Sequence, residues 1–147
     1  MIFRRWVFAT LVAVLLVGIS LPSSADAPYY LEVSPTSAGD LSRLLDALET
    51  SFDEQLLGND TVVVVLHGEE ARSFTRQSYA ENRSLVDRAA LLHAHQVLEL
   101  RMCETWMRRN GVQPMDLLPF VDTVPYAPEE IRRLQDEGAS LHPSVAL

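Results

Sequence analysis

Apolar positions along the chain follow two different spacings, and each spacing predicts one kind of element. Residues 61–66 form a β-branched run without polar alternation, which is typical of a strand buried on both faces of a parallel sheet. Residues 29–33, a short aromatic and β-branched run, and residues 121–124 predict two further strands. Over residues 40–56 the leucines recur at helical spacing, which predicts an amphipathic helix that ends at Gly58.

The rest of the chain continues this alternation of strands and helices. The pattern predicts a turn or short helix over 69–77, helices over 84–93, 104–110 and 128–138, and strands over 97–102 and 140–142. Such an order is typical of an α/β fold, here an open, mostly parallel sheet of about five strands with helices on both faces. We expect these elements to form one domain over residues 26–147, a usual domain size.

The strand predicted over 97–102 has one apolar side and one polar side. Its polar side carries Glu99, Arg101 and Cys103. This pattern favours a strand near an edge of the sheet, or one whose polar side meets a partner subunit. We therefore expect a homo-oligomer.

The N-terminal segment has the features of an export signal. Two arginines precede an apolar run over residues 6–21, and small residues follow at Ser23 and Ala25. This arrangement predicts cleavage near Ala25, no stable membrane anchor, and a mature protein that is periplasmic or secreted. The alternative is an uncleaved anchor, since the run is near the lower length limit for crossing a bilayer.

The charge balance excludes several classes of function. The chain has 20 acidic and 12 basic residues, a net charge of −8, and all the acidic residues lie after residue 25. A nucleic-acid partner is not expected, because phosphate backbones require a clustered basic surface. The sequence contains no lysine, which excludes Schiff-base chemistry and a phosphate-binding P-loop lysine.

Sequence motifs for cofactors and metals are also missing. Glycine-rich nucleotide loops, zinc-protease motifs and paired cysteines do not occur in the sequence, so we expect no cofactor. His93, His95, Cys103 and His142 could contribute metal ligands in principle. None of these residues shows the helical or zinc-finger spacing of a metal site, and no metal is predicted.

Cys103 is the single cysteine and the most conspicuous reactive group. It lies where a predicted strand gives way to a helix, and reactive groups collect at the carboxyl ends of strands in open α/β sheets. The helix N-terminus and Arg101 would favour the thiolate, whereas Glu104 would oppose it. The alternative is a small buried apolar residue. In an exported chain a lone thiol is either hidden or functional.

Four segments in order resemble the DsrE/DsrF-like sulfur-relay family. They are VVVVLHG at 62–68, the cysteine strand followed by ETWMRRNG, DLLPFVDTVP at 116–125, and EEIRRLQDEGASLHP at 129–143. The resemblance spans about residues 29–143. It implies a small α/β protein that assembles as a homo-trimer or homo-hexamer and carries sulfur as a persulfide on Cys103.

The resemblance and the position of Cys103 together predict an exported sulfur carrier with sulfurtransferase-like chemistry. A sulfane-sulfur donor and an acceptor protein would be its partners. His67 follows the predicted central strand and could stabilise the thiolate or position the donor, so it is the second candidate catalytic residue. The alternative for His67 is a strand-end histidine bonded to backbone. The alternative for the whole protein is a non-catalytic oligomeric binding module with a structural cysteine.

Overall fold

A computed structural model describes residues 29–33, 38–54 and 61–141. The strands are β1 (Tyr29–Val33), β2 (Val62–Leu66), β3 (Leu98–Cys103), β4 (Val121–Val124) and β5 (Ser140–Leu141). The α-helices are α1 (Ala38–Asp53), α2 (Arg83–Ala94), α3 (Glu104–Asn110) and α4 (Ala127–Asp136). Short 3₁₀ turns cover Glu69–Phe74, Arg76–Ser78 and Pro114–Asp116. The predicted export signal and its cleavage site lie outside the described residues.

The strands form one parallel sheet in the order β4-β3-β2-β1-β5. This confirms the α/β class. All five residues of β2 are buried, which confirms that the unbroken β-branched run is a strand covered on both faces. Because β2 lies in the middle of the sheet, the residues that follow it reach the centre of the carboxyl edge.

The direction of each crossover determines which face of the sheet a helix covers. The connections through α1 and α2 both step from β1 towards β4, so right-handed crossovers place these two helices on the same face, where they pack together. The connection from β4 to β5 steps back the other way, which places α4 on the opposite face against β1 and β2.

The polar side of β3 has a partner within the chain. β3 lies between β2 and β4, one strand from the edge. Arg101 donates to Glu99 and to Glu130 of α4, and its side chain is only 20% exposed. The polar side of β3 therefore faces α4 of the same chain. The charged residues on β3 do not by themselves require a second subunit.

The helix α3 is short because its sequence specifies an abrupt end. It has seven residues and stops at Gly111, whose φ of 69° lies in the left-handed region that glycine adopts without strain. Trp106 and Met107 bury their side chains on its inner side. Within the described ranges, no helix has the length and apolar character needed to cross a membrane.

Candidate functional site

The carboxyl edge of the sheet brings together the two residues that the sequence singles out. β2 and β3 are neighbouring parallel strands, and Leu66 pairs with Met102 at the last shared position. The next residue on each strand is His67 and Cys103. Since paired strands lie about 4.8 Å apart, continuing the register past Leu66 places the two backbones side by side at this edge.

Cys103 is the last residue of β3 and immediately precedes α3. Its backbone is extended, and it pairs in register with Val124 of β4. Only 4% of the residue is exposed, and it belongs to the hydrophobic core. The thiol is therefore surrounded by apolar side chains, and a reaction partner has at most a narrow approach to it.

The segment that follows β2 is held by a buried carboxylate. The Oε1 atom of Glu70 accepts the backbone N–H of Gly68 at 2.9 Å, and Glu70 is only 3% exposed. His67 is partly exposed as a residue, with its Nε2 atom buried. Sequence reasoning did not select Glu70, because Glu69 and Glu70 are adjacent acids and only the phase of the 3₁₀ turn decides which one points inward.

The charged residues near Cys103 are engaged with one another. Arg101 was expected to favour the thiolate, but it donates to Glu99 and Glu130. Hydrogen bonds from Arg133 and from Arg101 keep the pKa of Glu130 below its usual value.

The other acid considered at this point, Glu104, accepts a hydrogen bond from the Thr123 hydroxyl and pairs with Arg108. The first residue of α3 is thus a carboxylate that is already hydrogen-bonded and ion-paired within the protein.

The remaining histidines of the described chain lie at the opposite edge of the sheet. His93 Nδ1 is 3.1 Å from the backbone oxygen of Leu98, the first residue of β3. The His95 ring packs against that of Phe52 in a tilted arrangement, with a centroid separation of 5.0 Å. A six-residue strand spans about 20 Å, so neither histidine belongs with Cys103. His142 lies outside the described residues, and the described ranges contain no cluster of three or more candidate metal ligands.

The architecture defines a class: a parallel α/β protein whose candidate reactive residues lie at the carboxyl ends of two neighbouring inner strands. No family model matches the chain, and its sequence matches no curated protein. Among solved structures, it is similar to the protein of unknown function MTH1491 from Methanobacterium thermoautotrophicum, with a TM-score of 0.64 and 21% sequence identity. The alignment covers 80% of this chain and 98% of that one. This likeness shows a shared fold.

Proposed function

We propose that the protein is an exported carrier of sulfane sulfur and that Cys103 is its nucleophile. The Cys103 thiolate attacks the outer sulfur of a donor persulfide. The donor's S–S bond breaks, a new bond joins that sulfur to Sγ of Cys103, and the electron pair leaves on the donor thiolate. Attack by an acceptor thiolate on the bound outer sulfur reverses the same chemistry and regenerates the Cys103 thiolate.

The observation that carries this proposal is the position of Cys103 relative to His67. Both residues come at the carboxyl ends of adjacent inner strands, where parallel sheets present their reactive groups. An imidazole at this place can accept the thiol proton or orient the donor. The resemblance to the DsrE/DsrF-like family supports the same assignment, since it implies a sulfur-bearing cysteine at this position.

Sulfur loading is tested by incubating the purified protein with polysulfide and measuring its intact mass. We expect an increase of about 32 Da for one added sulfur, which a reductant removes. Cys103→Ser should abolish the increase. A wild-type protein that takes up no sulfur from polysulfide or from a low-molecular-weight persulfide would refute the carrier function.

The burial of Cys103 favours a second candidate, a non-catalytic oligomeric binding module in which the cysteine only packs. The two candidates differ in thiol reactivity. A carrier whose cysteine is only 4% exposed as a residue should react readily with a reagent as small as methyl methanethiosulfonate and much more slowly with a bulky aromatic disulfide. A structural cysteine should react with neither reagent until the protein unfolds.

The assembly and the location of the protein belong to the same proposal. We expect a homo-trimer or homo-hexamer, which multi-angle light scattering would show, and a periplasmic or secreted mature chain beginning near Asp26, which N-terminal sequencing would show. The donor and the acceptor are expected to be separate sulfur-transferring proteins. A monomer in solution, or recovery of intact Met1 from the membrane fraction, would contradict these two expectations respectively.

A further inference from the structure

A polar cleft lies away from Cys103, between the 3₁₀ turns that follow β2 and the carboxyl end of α3. Its volume is about 350 Å³, within the range of small-molecule sites. Asn110 and Gly111, at the end of α3, line it, whereas Cys103 precedes the start of that helix. Seven helical residues span about 10 Å, so the cleft is separate from the proposed sulfur site and does not depend on it.

Several polar groups of the cleft are fixed by bonds within the protein. Arg72 donates to the Asn110 side chain at 3.0 Å, and its guanidinium carbon lies 5.9 Å from the centroid of the Trp106 ring. Thr75 bonds the Ser78 hydroxyl at 3.2 Å. Groups already held in place lose little conformational freedom when a ligand binds, which favours affinity.

The cleft carries charges of both signs. Arg72 provides a guanidinium with five N–H donors, of which one bonds Asn110. Glu81 and Asp116 provide two carboxylates, and the Oδ2 atom of Asp116 accepts the Gln113 N–H at 2.8 Å. A ligand with a single charge would meet an unfavourable partner here. A ligand with separate ammonium and carboxylate groups finds a partner for each.

We propose that this cleft binds a zwitterionic amino acid or short peptide. Arg72 takes the ligand carboxylate, and Glu81 and Asp116 take its ammonium group. The hydroxyls of Thr75 and Ser78 and the side chain of Asn110 also line the cleft, and in this binding mode the peptide groups of the ligand would lie against them.

The probe is triglycine, which carries both end charges and cannot react with a thiol. Titration of the ¹⁵N-labelled protein should give saturable shifts of the Ser78 and Gly111 amide signals. Triglycine amide and N-acetyltriglycine, which each lack one charge, should bind roughly 2- to 5-fold more weakly, the effect of one exposed ion pair. Equal affinity for all three peptides, or no saturable shift at either amide, would overturn the proposal.

Two carboxylate variants test which end of the peptide each residue binds. Glu81→Gln and Asp116→Asn should weaken triglycine and triglycine amide, and leave N-acetyltriglycine unchanged because it has no ammonium group. Asp116→Asn keeps an acceptor for the Gln113 N–H, so the 3₁₀ turn is preserved. Glu129→Gln, an exposed acid in α4, is the matched control and should bind all three peptides as the wild type does. A loss of N-acetyltriglycine binding in either cleft variant would contradict the assignment.

Discussion

The ion pair between Arg101 and Glu130 is the contact that joins α4 to the polar side of β3, and its removal gives the sharpest test of the fold. The Glu130 side chain is 10% exposed and that of Arg101 is 20% exposed. Breaking a fully buried pair by removing one charge costs about 3–5 kcal/mol. Arg101 keeps Glu99 at 2.6 Å and some contact with solvent, so we expect Glu130→Gln to cost about 2 kcal/mol.

Thermal unfolding at fixed protein concentration measures this loss. A domain of this size shifts its Tm by roughly 3–5 °C per kcal/mol, so we expect Glu130→Gln to lower Tm by about 6–10 °C. Glu129→Gln removes a charge from the same helical turn but from an exposed side chain, and it should change stability by about 0.5 kcal/mol or less. Equal losses in the two variants would show that the pair adds nothing beyond a favourable charge at the start of the helix.

The same contact has a defined pH dependence. Hydrogen bonds from Arg133 and Arg101 lower the pKa of Glu130 in the folded state, so the folded protein holds this carboxylate ionised at a pH where the unfolded chain protonates it. The stabilisation is therefore complete above the unfolded pKa of about 4.3, and it is lost as the pH falls through the folded value. The difference in unfolding free energy between wild type and Glu130→Gln should shrink over that acidic range. It should stay constant from about pH 6 to about pH 8.

Three further predictions test other parts of the molecule. Arg88 of α2 bonds both carboxylate oxygens of Glu49 at 2.7 Å, and Arg88→Met should cost about 1 kcal/mol in urea unfolding; no loss would mean that apolar contacts alone join α1 to α2. No atom lies within 4 Å of a Cβ added at Gly111, so Gly111→Ala should cost only the backbone strain of about 1 kcal/mol and Gly111→Asn less; equal costs would contradict this. His67→Ala should slow sulfur loading of Cys103 without preventing it. His95→Ala, at the opposite edge of the sheet, should leave the loading rate unchanged. Equal loading rates in the two variants would show that His67 has no part in the reaction.

The sequence predicted the elements well wherever a single physical requirement dominates the residue choice. The run over 62–66 has no polar residue, and β2 is indeed buried along its whole length. The glycine after residues 104–110 predicted the end of α3, and Gly111 has the expected left-handed conformation. The helical spacing was less informative at Phe52. This residue continues the apolar pattern of α1 and yet is 39% exposed.

The candidate site was harder to predict because its properties depend on contacts between elements that are distant in the chain. Alternation in β3 showed that Arg101 and Cys103 share a side of the strand, but it could not show that a glutamate of α4, 29 positions later, takes the guanidinium. Strand order was needed before His67 and Cys103 could be placed at neighbouring register positions.

Burial of Cys103 also depends on contacts between elements that are distant in the chain. It raises the question of how a reaction partner reaches the cysteine. A cysteine at the carboxyl edge of a sheet is in the right place to react, while a cysteine 4% exposed is protected from large oxidants and large partners alike. The two properties are compatible if the sulfur arrives on a small or slender donor, since one sulfur atom needs far less room than a protein side chain. Val124 pairs with Cys103 in register, and the exposed Pro125 and Tyr126 follow it before α4 begins. If Cys103 carries sulfur as proposed, these two exposed residues next to the end of β4 are where we expect an acceptor protein to contact this edge of the sheet.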